Sequence, residues 1–130
     1  MGDLGTHSPA LLLARIAVER DAQEIVIAGK ELRLAEIQAE KDRIALEGKR
    51  AEEQAADIAK TIAKMDDGID KQRLHIKQRE FLHIGIKNTL RLLEVDEERE
   101  AISKDIEASR AHIANLSAEA SQQTTRLKES

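Results

Sequence analysis

Glu80 and His83 stand as Glu-x-x-His, the spacing that puts a carboxylate and an imidazole on one face of a helix. Helical bundles use it to hold a metal. Such a site needs a further carboxylate from a facing helix at the same level. The folding pattern argued below brings Gly48 and Ala51 there, with Glu47, Glu52 and Glu53 pointing elsewhere. The pair therefore reads as a charged surface residue beside a semi-buried histidine. His75 and His83 lie eight positions apart and His7 sits near the start, so no histidine pair has metal-ligand spacing. No Gly-rich phosphate loop and no Ser or Cys nucleophile arrangement occurs. Gly29, Gly48 and Gly85 are isolated in helical surroundings and read as close-packing points. The expectation is no catalytic residue, metal, cofactor or small-molecule substrate, and hence not an enzyme.

The second group is the "KMDDGID" stretch, with Asp66, Asp67, Gly68 and Asp70 at the middle of the chain. Inside a helix, Asp-Asp-Gly costs roughly 2 kcal/mol relative to alanines. At a helix boundary the same residues help. Asp66 or Asp67 can cap a following helix, and Asp70 falls in its first turn, near the positive end of the dipole. Lys60 and Lys64 fall in the last turn of a preceding helix, where cations are favoured. The stretch also resembles the acidic coiled-coil tips of the Gre and DksA transcription factors. The resemblance implies carboxylates carried into a polymerase channel, where they hold Mg²⁺ through oxygen ligands.

What must position these residues is helix. The chain has 130 residues, of which 35% are charged and 1% aromatic, with no Trp, Tyr or Cys, one Phe and one Pro. So few aromatics leave little bulk for a globular core, and the composition is that of a coiled coil. Ser8-Pro9 is a helix start: the hydroxyl caps, and proline at the first helical position lacks a donor that would be unpaired anyway. From there two seven-residue rows can be followed. One runs Leu13, Arg20, Ile27, Leu34, Lys41, Gly48, Ala55, Ile62, Ile69, Ile76, His83, Leu90. The other runs Ile16, Gln23, Lys30, Ile37, Ile44, Ala51, Ile58, Met65, Gln72, Arg79, Ile86, Leu93. After Leu93 the phase changes to Ile102, Ile106, Ser109, Ile113, Leu116, Ala120, Gln123 and Leu127. The intervening "EVDEERE" has no Gly or Pro, so a register shift over 94–101 is expected rather than a reversal. "EIVIAGKELRL" and "FLHIGIKNTLRL" alternate briefly as strands do, but the heptad runs through both.

The rows pass through the Asp-Asp-Gly stretch in phase, which favours one continuous helix in a parallel coiled-coil oligomer. Packing favours a hairpin. In parallel rods Gly48, Ala51 and Ala55 would each face themselves. Folding about residue 67 sets Gly48 against Ile86, Ala51 against His83, Ala55 against Arg79, Ile58 against Ile76 and Ile44 against Leu90, so small residues oppose larger ones. The expected fold is all-α, a long antiparallel two-helix coiled-coil hairpin in one domain: a flexible tail at 1–7, helix 1 at 8–65, a turn at 66–70 and helix 2 at 71–127.

A two-helix hairpin buries little area per residue, so self-association or a partner protein is expected. Residues 81–95 carry more apolar side chains than one seam needs: Phe81, Leu82, Ile84, Ile86, Leu90, Leu92, Leu93 and Val95. Phe81, Leu82, Ile84, Leu92 and Val95 are the expected partner-binding residues. The 21 basic and 25 acidic residues are interspersed, whereas nucleic acid requires a clustered basic face. No apolar run approaches the ~20 residues of a membrane span. The opening Met-Gly-Asp-Leu-Gly-Thr fits the loose myristoylation pattern, with no polybasic patch behind it and Asp3 an unsuitable neighbour. A cytoplasmic protein is expected.

The stretch "LLLARIAVERDAQEIVIAGKELRLAE" over 11–36 resembles the opening of the FliJ/YscO-type proteins of flagellar and type III secretion systems. The resemblance implies an antiparallel coiled-coil hairpin acting as a stalk in an export ATPase ring, contacting the export gate and chaperones. The functional expectation is a non-enzymatic adaptor, scaffold or chaperone-like subunit of a larger assembly. A transcription factor working through an acidic tip is the alternative.

Overall fold

A computed structural model describes residues 8–129; the expected tail at 1–7 and the myristoylation pattern lie outside them. Two helices account for nearly all of the described chain: α1, Pro9–Ile62, and α2, Ile69–Glu129. They pack against each other as an antiparallel hairpin, and no strand occurs among the described residues. The continuous-rod alternative fails at residues 63–68, where the helix stops.

Ser8 caps α1 through its hydroxyl, which accepts a bond from the Leu11 amide (3.1 Å), while its carbonyl accepts one from Leu12 (3.1 Å). At the other end α1 tightens. Lys64 donates to the Thr61 carbonyl and Met65 to that of Ile62, each at 3.1 Å, the three-residue spacing that satisfies end carbonyls. The second helix starts differently from expectation. Neither Asp66 nor Asp67 takes the cap position; Gly68 does, its carbonyl accepting from the Gln72 amide at 3.1 Å. The Asp67 carboxylate is drawn instead to Lys71 Nζ, one turn on, at 3.1 Å. Asp70 lies in the first turn of α2.

The described residues pack as two compact units, 8–34 with 100–129, and Ala35–Arg99. In both, α1 turns inward the two seven-residue rows read from its sequence. Every member from Leu13 to Ile62 and from Ile16 to Met65 is buried or half-buried, and Ile37 is fully buried.

The α2 seam departs from expectation. Ile69, Gln72, Ile76, Arg79, His83, Ile86, Leu90 and Leu93 are all exposed. The inward rows are Leu74, Phe81, Asn88, Val95, Ile102, Ser109, Leu116, Gln123, and Gln78, Gly85, Leu92, then, past the exposed Arg99, Ile106, Ile113, Ala120. They keep one phase throughout, so there is no register shift at 94–101. The phase read at Ile102 and Ile106 extends backward to Leu74. Gly48 accordingly faces Asn88, whose Nδ2 would lie 3.6 Å from a Cβ built there, and not Ile86. A larger residue does oppose a small one, but it is a different residue from the one expected.

Candidate functional site

Turning Leu74, Phe81, Leu92 and Val95 inward leaves a second set of apolar residues of α2 outside. In the Ala35–Arg99 unit Ile69 is 68% exposed, Ile76 60%, Ile86 68%, Leu90 59% and Leu93 60%. Ile69, Ile76, His83 and Leu90 repeat every seven residues, as do Gln72, Arg79, Ile86 and Leu93. At about 100° per residue this stripe lies on the face of α2 opposite α1. One helix thus carries two seams: one used by the hairpin, the other open.

The expected partner-binding residues divide between these faces. Val95 is fully buried in the hairpin seam and is withdrawn as a binding residue. Phe81, Leu92 and Ile84 are half-buried on the side toward α1, and Leu82 is exposed. Lys77 Nζ lies 5.9 Å from the Phe81 ring centroid, a cation–π contact within the helix that covers part of the ring. The seven-residue rows read from the sequence put Ile69, Ile76, Ile86, Leu90 and Leu93 in the seam. Their role as the open face was readable only from the uninterrupted phase of the other row.

Three of the expected residues do come together. Phe81, Leu82 and Leu92 line an open groove of about 490 Å³, with Gly85 and Ile86 on the same helix and Ile44, Ala45 and Gly48 on α1. Its cause is lost side-chain volume. Gly48 and Gly85 contribute no side chain, and a Cβ at Gly85 would meet nothing within 4 Å. The seam is incompletely filled here, and the Asn88 Nδ2 is buried without a hydrogen-bond partner. Ile86 belongs to both groove and stripe, so the two form one apolar surface.

Ion pairs flank the hairpin seam. In the Ala35–Arg99 unit, Arg91 grips Glu40 with two bonds of 2.7 and 3.2 Å, and Lys41 donates to Asp96 at 2.8 Å. In the other unit, Lys30 meets Asp105 (3.2 Å), Arg110 meets Glu31 (3.0 Å) and His112 Nε2 lies 2.9 Å from Glu19. Singly such exposed pairs are weak. As complementary flanks they select antiparallel orientation and register. The Glu40 carboxylate, by its hydrogen bond, holds the Arg91 guanidinium still more firmly protonated than an ordinary arginine.

The Lys41 ammonium, bonded to Asp96, holds that carboxyl below its ordinary value against opposing desolvation, and Arg99 at 3.5 Å adds to the effect. The unfolded chain therefore takes up this proton at higher pH than the folded one. The contribution of Asp96 is fully present above the ordinary Asp value and is lost as pH falls through the lowered one. Denaturant midpoints measured from pH 7 down to about 2 should decline through that window, and Asp96→Asn should flatten the decline. An unchanged profile in that variant would assign the acid sensitivity to other carboxylates.

Glu80 and His83 are both exposed on the outer face of α2. Among the described residues no three His, Cys, Asp or Glu side chains gather in a metal-binding cluster. At the tip, Lys71 occupies Asp67, and Asp66 and Asp70 are exposed. No described helix is long and apolar enough to cross a membrane. Comparison with protein-family models, curated proteins and solved structures finds no match.

Proposed function

We propose that this chain is a non-enzymatic coiled-coil adaptor or scaffold, a subunit of a larger protein assembly that works through its helix faces. The observation that carries this reading is the open seven-residue stripe on α2, Ile69 to Leu93, opposite the face packed on α1. Scattered exposed aliphatics are normal on any protein. A row with coiled-coil spacing is different, because that period matches only another helix. The adjoining groove supports the same use. Its open, mostly aliphatic lining at Phe81, Leu82, Ile86 and Leu92 can receive a side chain, whereas catalysis asks for an enclosed site with convergent polar groups. A chaperone-like role and a stalk in a secretion apparatus are the specific forms this reading takes. The second rests on the FliJ/YscO-type resemblance at residues 11–36.

The test is cross-linking of the tagged full-length chain in its own cells, compared with a variant carrying Ile86→Lys and Leu90→Lys. Both side chains are already mostly exposed, so the variant keeps its helix content and its melting temperature within a few degrees, since surface changes seldom exceed ~0.5 kcal/mol. Cross-linked species present with the wild type should disappear. If the variant retains every cross-link, the stripe is not the working surface.

A further inference from the structure

We infer that the helix meeting the open stripe of α2 is the same stripe of a second copy, running antiparallel. This rests on the reading that the stripe is a binding face, and it names the partner. The charges beside the stripe carry it. Arg73, Glu80, Lys87 and Glu94 follow one another at seven-residue intervals along one edge of the stripe, alternating in sign, and all four are exposed. In an antiparallel helix pair this edge meets its own counterpart. Reversing an alternating row of four sets each cation against an anion. Arg73 meets Glu94 of the second copy, Glu80 meets Lys87, and two-fold symmetry repeats both contacts, as an isologous interface requires.

The core of that arrangement is consistent with its charges. The same register sets Ile76 against Leu93 and His83 against Ile86. It also sets Arg79 against Leu90, where the aliphatic stem of the arginine can cover the leucine while its head reaches water. A parallel pair fails on both counts. It would face Arg79 with Arg79 and His83 with His83. It would also bring the alternating row against His75, Leu82 and Thr89 on the other edge, where neither Lys87 nor Glu94 finds an opposite charge. The face is unobstructed in the Ala35–Arg99 unit, because α1 lies on the opposite side of α2.

The experiment is sedimentation equilibrium of the full chain and three variants: Glu80→Lys, Lys87→Glu, and the two combined. The wild type should form a concentration-dependent dimer. Each single reversal sets like charges together twice per dimer and should weaken it about tenfold. The combined variant restores opposite charges in every pair and should return to wild-type affinity. Ile86→Lys should leave only monomer. Circular dichroism of each variant shows that the hairpin itself is intact. A dimer weakened by the singles and equally weak in the combined variant overturns the antiparallel register, and a dimer indifferent to all of them overturns this face. A wild type that stays monomeric overturns self-pairing. The adaptor reading is then decided separately by whether the Ile86→Lys, Leu90→Lys chain loses its cellular cross-links.

Discussion

Val95→Asp should unfold the Ala35–Arg99 unit, while Leu93→Asp, two residues away, should leave its stability nearly unchanged. Val95 is fully buried in the seam and Leu93 is 60% exposed on the opposite face. Aspartate at 95 forfeits the burial of a valine and puts an unpaired carboxylate where water cannot reach it. The two losses together amount to about 4 kcal/mol or more. A domain of this size has about 5–15 kcal/mol in all, and a hairpin with a single seam belongs at the low end. Asp96 next in sequence aggravates the charge, since it already draws on Lys41. Aspartate at 93 stays in water and costs little beyond its lower helix propensity, about half a kcal/mol. Thermal melts followed by far-UV circular dichroism distinguish the two. If Leu93→Asp melts the chain and Val95→Asp does not, α2 packs through the other row and the outer stripe is its core.

The pair matters because these two rows are what the sequence failed to separate. Over 69–95 one row offers Leu74, Phe81, Leu92 and Val95 with Gly85; the other offers Ile69, Ile76, Ile86, Leu90 and Leu93. Counting apolar residues favours the wrong row slightly, because the right one holds Lys71, Gln78, Gly85 and Asn88. Continuity decides it. Only the row through Leu74 and Val95 reaches Ile102 and Ile106 without a break, and "EVDEERE" contains nothing that would force one. The flanking charges also agree, since Arg91 and Asp96 fall beside that row, where Glu40 and Lys41 can meet them. In α1 no such competition arose. The outer row there, Leu11, Val18, Ile25 and Leu32, is interleaved with Ala14, Asp21 and Ala28, which add no bulky second row beside it, and the seam was legible along the whole helix.

The hairpin itself was legible for a partly mistaken reason. Small residues were expected to demand larger ones opposite, and Gly48 has Asn88. The pairing inferred with Ile86, His83 and Arg79 followed from the wrong α2 phase. The break at Asp-Asp-Gly was the sounder signal, since it depends on local backbone preference alone. Even there, which residue capped α2 was not legible. The Asp67 carboxylate pairs with Lys71 one turn on instead of capping the helix. The binding face inherited the phase error: the candidates at 81–95 were right about the segment and divided over its faces.

Ile37→Ala should lower the stability of the Ala35–Arg99 unit by about 3 kcal/mol, at the middle of the range for truncating a buried isoleucine. Ile37 and Val95 are the two largest fully buried side chains, and both lie close in sequence to ion-paired residues. Glu40 and Lys41 come one turn after Ile37 on α1, and Asp96 directly follows Val95. The cross-helix pairs Arg91–Glu40 and Lys41–Asp96 hold the helices together where these two side chains are shut in. Their ion pairs contribute little by themselves at the surface, but they fix the spacing into which Ile37 fits. Truncation to alanine should therefore act on both. The cavity costs the bulk of the loss, and relaxation of the helices to fill it lengthens the two ion pairs. Leu46→Ala on the same helix provides the reference: Leu46 is 50% exposed and its truncation should cost less than about 1 kcal/mol. Urea denaturation of both variants measures the difference. A second comparison tests the coupling: Asp96→Asn should cost less in the Ile37→Ala background than in the wild type, a non-additivity expected only where neighbouring groups share one packed site. Equal costs in the two backgrounds would mean that the ion pairs and the aliphatic seam stabilise the hairpin independently.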